Sequence, residues 1–193
     1  MVGRGMAQHD WSGRRREFLR SGAALIALTA LPARSLFAQT PAKVLIVPFS
    51  DTGARQQPVE LPKVMLTEAE WKAKLSPQSY DITREAWTER PFTGALLEEH
   101  RKGIFRCICC DTALFSSDAK FESGTGWPSF CEPIAKENVV ETRDSTLGMV
   151  RVAVSCARCD AHLGHVFDDG PKPTGLRYCM NSVALHFSPI VSA

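Results

Sequence analysis

Seven cysteines carry most of the chemical information in this 193-residue sequence, and all of them lie between residues 107 and 179. Cys107 and Cys110 form one C-x-x-C pair, and Cys156 and Cys159 form a second. Two such pairs supply four thiolates, the ligand set of a tetrahedral zinc site, whereas a single pair is also typical of a redox motif. Because four thiolates leave no open coordination position, the spacing predicts one structural zinc ion. We expect no organic cofactor.

Four other interpretations of the cysteine pairs stay open at this point. Cys109 could replace either neighbour in the first pair, although only Cys107 and Cys110 have the standard spacing. Oxidising compartments favour disulfides over a metal site. A thiol–disulfide oxidoreductase would use Cys107 and Cys110, but it needs a reactive pair at the start of a helix. A zinc-stabilised binding module without catalytic activity would explain the two pairs alone.

Cys179 is the thiol whose neighbours best suit catalysis. If the segment around it is a β-strand, Arg177, Cys179 and Asn181 project from one face. An arginine beside a thiol favours the reactive thiolate, and an amide can position substrate or water. His162 and His165 follow the second cysteine pair directly. A thiolate with nearby imidazoles can perform nucleophilic attack with general acid catalysis, although a free cysteine is also often an inert buried residue.

Several long motifs occur in a fixed order along the chain. They are residues 88–94 (TERPFTG), 124–130 (GTGWPSF), 162–167 (HLGHVF) and 175–182 (GLRYCMNS). With these motifs the sequence resembles the B-type peptide methionine sulfoxide reductases, specific for the R epimer, from about Leu61 to Phe187. The resemblance implies a mainly β fold of two antiparallel sheets in a tent-like arrangement, with a structural zinc site. It also implies methionine-R-sulfoxide, mainly within oxidised proteins, as the substrate.

The resemblance implies that Cys179 attacks the sulfoxide sulfur and is left as a sulfenic acid, with Arg177 helping to hold the thiolate. Many relatives carry a resolving cysteine in the loop where this chain has Thr125. Cys131, just beyond that loop, is the candidate substitute, and Cys109 is a weaker one. Otherwise an external thiol, such as a thioredoxin-like protein, reduces the sulfenic acid directly.

Four further side chains are implied to handle the substrate. His165, with His162, would protonate or hydrogen-bond the sulfoxide oxygen, and Asn181 would order the site. The indole of Trp127 would pack against the S-methyl group, since a flat apolar ring suits a small apolar group. Trp87, where relatives usually have a small residue, has no role in this scheme.

Residues 1–38 predict a signal peptide of the twin-arginine type. Arg14, Arg15 and Arg16 precede Phe-Leu and an uncharged run over residues 21–31, and the segment ends at the small residue Ala38. That run is too short to span a bilayer. We therefore expect cleavage near Ala38, a bacterial periplasmic protein and no stable membrane association.

Charge and pattern define the elements that must position these residues. The chain has 23 basic and 21 acidic residues, of which residues 1–38 hold six and two. The remainder therefore has 17 basic and 19 acidic residues, which argues against a nucleic-acid partner.

Residues 39–61 are predicted to form a linker with one strand-like run at 44–47, and residues 62–190 are predicted to form the reductase domain. A capping box at Thr67–Glu70 and the pair Ser76-Pro77 predict two short helices, the second reaching about Trp87. Strands are predicted over residues 138–142, 149–155 and 176–187.

Overall fold

Two short helices and eleven strands make up the part of the chain that the structure, a computed structural model, describes: residues 41–145 and 151–190. These residues belong to one unit, Gln39–Ala193, so the predicted signal peptide lies outside them. The helices are α1 (Glu68–Lys74) and α2 (Pro77–Glu85). The strands are β1 (Lys43–Ile46), β2 (Val59–Pro62), β3 (Gly103–Cys107), β4 (Ala113–Ser116), β5 (Lys120–Phe121), β6 (Ser129–Phe130), β7 (Val139–Asp144), β8 (Arg151–Cys156), β9 (His162–Phe167), β10 (Arg177–Met180) and β11 (Leu185–Pro189).

Both helices begin where the capping residues predict. At α1 the Thr67 hydroxyl accepts from the Glu70 amide, and the Glu70 carboxylate accepts from the Thr67 amide at 2.7 Å, so the capping box is complete. At α2 Ser76 caps the helix and Pro77 occupies its first turn. This helix ends two residues earlier than predicted, because Ala86 adopts a left-handed conformation with φ 56°. None of the helices described here is long and apolar enough to cross a bilayer.

The strands form two main antiparallel sheets, as the sequence predicts. The larger has the order β5-β6-β10-β9-β8-β7, and the smaller has the order β11-β3-β4. The strands predicted over residues 138–142 and 149–155 are present as the antiparallel pair β7 and β8, although residues 146–150 lie outside the described part. The single strand predicted over residues 176–187 is wrong: a 3-10 turn, Ser182–Ala184, divides it into β10 and β11, which belong to different sheets.

An aromatic core joins the two sheets. Phe105 and Phe115 come from the smaller sheet, and Phe130 and Tyr178 come from the larger one. Phe115 stacks on Phe130 with ring centroids 4.5 Å apart, and Phe105 meets Phe130 edge-on at 4.9 Å. All three phenylalanines are fully buried, and each contributes roughly 2–3 kcal/mol through burial of its ring.

The segment expected to be a linker contains more structure than a connection needs. Its predicted strand-like run is β1, which pairs with β2 as a two-stranded hairpin. Asn138 ties the hairpin to the body: its side chain accepts from the Val47 amide and donates to the Val47 and Ala113 carbonyls, each at 2.8 Å. Asn138 and Val47 are both fully buried, so residues 41–62 pack as part of the domain.

Candidate active site and metal centre

The two C-x-x-C pairs adopt the same turn at the ends of two strands. Cys107 ends β3, Cys156 ends β8, and each first cysteine accepts a hydrogen bond at its carbonyl from the aspartate after the second cysteine. Those aspartates, Asp111 and Asp160, have φ values of 63° and 56°, a left-handed conformation that aspartate tolerates better than most residues. The matching turns aim all four thiols of the predicted set at one point.

The geometry of the four thiols fits a zinc ion. The sulfurs of Cys107, Cys110, Cys156 and Cys159 all lie within 4.8 Å of one another. Cys107 Sγ lies 3.6 Å from Cys159 Sγ, and Cys110 Sγ lies 3.5 Å from Cys156 Sγ. Tetrahedral zinc–sulfur bonds of about 2.3 Å place sulfurs about 3.8 Å apart, whereas a disulfide needs about 2.05 Å. All seven cysteines are free thiols, and the four predicted ligands form one cluster that could hold a single zinc ion.

Cys109 is not a member of this group. It is buried, and its thiol donates to the Thr83 hydroxyl at 3.5 Å. The pair Cys107 and Cys110 also lies at a strand end and in the turn that follows it, not at a helix start. It therefore lacks the helix N-terminus that the thiol–disulfide oxidoreductase alternative requires.

A small cavity of about 130 Å³ holds four of the predicted site residues. Its lining residues are Thr88, Trp127, Arg151, Gly164, His165, Phe167, Cys179 and Asn181. His162 lines a larger groove that shares Thr88, Arg151 and His165 with this cavity. Arg177 and Cys131 line neither. The structure thus brings together Cys179, His165, Asn181 and Trp127, with His162 next to them.

A β-bulge explains how the two histidines reach one side of β9. Residues three apart in a regular strand face opposite ways. Here the register with β8 shifts, so that His165 pairs with Ala153 whereas His162 pairs with Ser155. Leu163 is the extra residue of the bulge. As a result the two imidazoles meet edge-on with centroids 5.2 Å apart.

Gly164 lets β9 approach the strand that carries the nucleophile candidate. In the register of these strands, Cys179 pairs with His165. A Cβ at residue 164 would lie 2.1 Å from the Cys179 carbonyl oxygen, closer than any side chain can come. The glycine therefore permits the contact that places the imidazole of His165 beside the thiol of Cys179.

Burial and polar neighbours act in opposite directions on Cys179. Burial raises the pKa of its thiol, and the hydroxyl of Thr125, 3.8 Å from the sulfur, lowers it. The Arg177 guanidinium also lowers the pKa, as the sequence predicts, but burial outweighs these effects. Arg177 is itself engaged by Asp169 through two hydrogen bonds of 2.8 Å, and it stacks 4.4 Å from the ring centroid of Phe167.

The two histidines have different surroundings. Asp144 Oδ2 lies 2.9 Å from His165 Nε2 and 3.1 Å from Arg151 Nη2. Because a carboxylate only accepts, this contact assigns a proton to His165 Nε2. Burial, followed by the neighbouring His165, lowers the pKa of His162 to about 4, so its ring is neutral near pH 7. Its Nε2 is buried and has no hydrogen-bond partner in the described part of the chain.

Glu89 holds two of the cavity walls in place. Its carboxylate accepts from the Ser182 and Val183 amides at 2.6 and 3.2 Å. Its amide donates to Asn181 Oδ1 at 3.0 Å, and its carbonyl accepts from Trp127 Nε1 at 3.2 Å. One buried residue therefore fixes Asn181 and Trp127 on either side of the cavity.

Sequence reasoning missed several of these contributors. Glu89 and Gly164 lie inside motifs that it identified, so their place in those motifs was the available signal. Asp144 and Arg151 flank the turn of the β7–β8 hairpin and pair with each other, and nothing in their sequence spacing indicates that they meet at His165. Only the pairing of β7, β8 and β9 brings these groups together.

Comparison with known proteins agrees with this geometry. A SelR domain matches residues 75–189. A protein of Pseudomonas putida strain W619 is 58% identical over 127 residues, which cover 66% of this chain and 96% of that protein. Proteins of Herminiimonas arsenicoxydans and Thiobacillus denitrificans are 56% and 57% identical, over 65% and 64% of this chain and 91% and 93% of their own lengths. All three are named peptide methionine sulfoxide reductase MsrB. The SelR match and the similarity along nearly the whole length of these relatives place the chain in the SelR family of peptide methionine sulfoxide reductases.

Proposed function

We propose that this protein reduces methionine-R-sulfoxide, mainly in oxidised proteins, to methionine by a thiol-dependent mechanism, and so repairs those proteins. The observation that carries the proposal is the cavity where Cys179 lies with His165, Asn181 and Trp127. Handedness at the substrate sulfur requires three distinct contacts, and a thiol, an imidazole and an indole supply them. The R epimer is the one that the family resemblance implies.

In the first step the Cys179 thiolate attacks the sulfoxide sulfur, and the protonated oxygen leaves as water, which breaks the sulfur–oxygen bond of the substrate. Water then attacks the Cys179 sulfur of this sulfonium intermediate and displaces the methionine sulfur. The sulfoxide gains two electrons and Cys179 loses two, so methionine leaves and Cys179 carries a sulfenic acid. The oxygen needs a proton to leave. Because His165 Nε2 is paired with Asp144, the ring faces the sulfoxide oxygen with Nδ1 and acts from there as the general acid. His162, whose ring meets that of His165 edge-on with centroids 5.2 Å apart, supports it as the second imidazole of the site.

The surrounding residues orient rather than react. The amide of Asn181, fixed by the Glu89 amide and by the Leu163 carbonyl at 3.0 Å, orders the cavity beside the thiol. Trp127 packs against the S-methyl group. Arg177 and the Thr125 hydroxyl favour the thiolate that burial disfavours.

Zinc would be held by the four clustered cysteines, and its contribution is structural. The ion would join the turn after β3 to the turn after β8, which belong to different sheets. His162 follows Cys159 by three residues, so the same turn anchors the strand that carries both histidines. A non-catalytic binding module would leave this arrangement of Cys179 and the histidines without a role.

Another thiol must reduce the sulfenic acid and so restore the free thiol of Cys179. An external thiol forms a mixed disulfide with Cys179 and releases water, and a second thiol then frees the enzyme. Cys131 stays a candidate for the first thiol, but its distance from Cys179 must shorten before a disulfide can form. Cys179 pairs with Ser129, so Cys131 lies diagonally across the ladder, at a Cα separation of about 7–8 Å. Because disulfides need less than about 7 Å, the chain after β6 would have to move.

One oxidation experiment tests the nucleophile and the resolving thiol together. The protein is incubated with one equivalent of methionine-R-sulfoxide without reductant, and its peptides are mapped by mass spectrometry. We expect one added oxygen on Cys179, or a Cys131–Cys179 disulfide, and neither in Cys179→Ser. A stable sulfenic acid with Cys131 free would assign resolution to the external thiol. Full turnover by Cys179→Ser would contradict the mechanism.

We also propose that the protein acts in the periplasm after twin-arginine export. The support is the sequence of residues 1–38. Export in the folded state would let the four cysteines bind zinc before they meet oxidants.

A further inference from the structure

The cavity beside Cys179 has room for one side chain and little more. Its volume of about 130 Å³ is below the roughly 300–1,000 Å³ typical of sites that enclose a whole small ligand. The polypeptide on either side of a methionine sulfoxide must therefore lie outside it. The larger groove, which we call the long groove, has a volume of about 750 Å³ and runs from the end of α2 across β7 and β8. It meets the cavity at Thr88, Arg151 and His165.

Trp87 is the prominent apolar group on this groove. Its side chain is 64% exposed, although indoles are usually buried. The left-handed Ala86 ends α2 just before it. Trp87 lines both the long groove and a second groove of about 490 Å³, and Thr88 lines both of these and the cavity. The indole thus stands at the boundary between two grooves, next to the mouth of the cavity.

The charged groups of the long groove are largely engaged within the protein. Arg151 pairs with Asp144, and Asp160 pairs with Lys63. Arg84 donates to the Cys159 carbonyl at 2.8 Å and lies over the ring of Trp71. Charge complementarity therefore contributes little here, and the exposed indole is the group with most to gain from a partner.

We infer that Trp87 is a specificity-determining residue that packs against an extended polypeptide segment with apolar residues beside the methionine sulfoxide. The inference rests on the proposed function, because it concerns where the substrate polypeptide on either side of the methionine sulfoxide binds. An extended segment is required, since a folded one could not place a side chain in the cavity and its backbone along the grooves. Covering part of an indole favours the apolar peptide about five- to ten-fold over the free amino acid.

The test compares two substrates at a fixed concentration of dithiothreitol. One is free methionine-R-sulfoxide, and the other is an unstructured peptide with a single methionine-R-sulfoxide between leucines. We expect Trp87→Ala to lower the ratio of kcat/KM for the peptide to kcat/KM for the free amino acid about five-fold, through a higher KM for the peptide. Trp87→Phe should restore most of the ratio. Met65→Ala, which removes a side chain that is 72% exposed and lies on neither groove, is the matched control.

The outcomes separate this inference from the proposed function. An unchanged ratio in Trp87→Ala, or an equal loss with both substrates, would overturn the role of Trp87. Absence of turnover by the wild-type protein on both substrates would instead contradict the proposed function. Because Trp87 is mostly exposed, the variants should fold, and their unfolding temperatures check this directly.

Discussion

The thiol of Cys179 has a proposed role as nucleophile, but its surroundings disfavour the thiolate form. Burial raises its pKa, and the largest opposing contribution comes from the Thr125 hydroxyl. A thiol with a raised pKa is protonated at neutral pH, so its reactivity increases as the pH rises toward that value. The proposed mechanism therefore depends on a few polar contacts that stabilise the charge when the substrate arrives.

At this scale we predict the effect of Thr125→Val. The hydroxyl of Thr125 lies 3.8 Å from the Cys179 sulfur and lowers its pKa, so removing this hydroxyl should raise the pKa of Cys179 further. Alkylation of Cys179 by iodoacetamide, followed by peptide mapping from pH 6 to pH 10, measures this. Thr52→Val, at an exposed turn, is the control. An unchanged or lower pKa would show that Thr125 does not stabilise the thiolate.

At the scale of elements, β9 and β10 form the centre of the site, and the sequence predicts one strand better than the other. The period of two correctly grouped Cys179 with Asn181, because β10 is regular up to its last residue. No periodicity could place His162 and His165 together, since that depends on a bulge set by β8. Residues 176–187 have a continuous strand-like pattern, but the chain passes from one sheet to the other within this run. Its division at Ser182 therefore could not be predicted without the tertiary fold.

Because β9 and β10 approach closely at Gly164, we predict that Gly164→Ala strongly lowers the free energy of unfolding. The new Cβ would lie 2.1 Å from the Cys179 carbonyl oxygen, so the strands must separate, at a cost of roughly 3 kcal/mol or more. Gly124→Ala is the matched control: its φ is 71°, but its Cβ would meet nothing within 4 Å, so it costs only about 1–2 kcal/mol. Urea unfolding measures both free energies. Equal losses of unfolding free energy in the two variants would mean that the close contact between the strands at Gly164 does not determine the cost of the substitution.

For the whole molecule, the cluster of four cysteines brings together two parts of the chain that are far apart in sequence. Cys107 and Cys110 belong with the smaller sheet, and Cys156 and Cys159 with the larger. The sequence predicted all four, because the two-residue spacing is a local property of each turn. It did not predict that residues 41–62 join the same body, since the anchor, Asn138, is distant in sequence and carries no motif.

The neighbouring thiols Cys109 and Cys110 provide a matched pair for testing the metal centre. We predict about one zinc ion per chain in the wild-type protein and in Cys109→Ser, because Cys109 lies outside the group of four. Cys110→Ser should bind zinc weakly and unfold at a temperature lower by ten degrees or more, on the order of a loss of a few kcal/mol. Elemental analysis and thermal unfolding measure the two effects. Zinc loss in Cys109→Ser with retention in Cys110→Ser would reverse the ligand assignment.

The predicted export signal has its own test. Arg15→Lys together with Arg16→Lys should leave zinc-loaded precursor in the cytoplasm, because the twin-arginine route requires both arginines and carries folded proteins. Fractionation followed by immunoblotting and metal analysis shows where the protein is and whether it holds zinc. Normal periplasmic levels of the double variant would refute the proposed route.

The most direct test of the central claim is chiral analysis of the sulfoxide that remains after turnover. Racemic methionine sulfoxide in an unstructured peptide is treated with the protein and dithiothreitol, and the two epimers are then quantified, with Cys179→Ser as the control. The proposed mechanism predicts that the R epimer is consumed, the S epimer remains, and the variant leaves both in place. Equal consumption of both epimers, or full activity in Cys179→Ser, would contradict it.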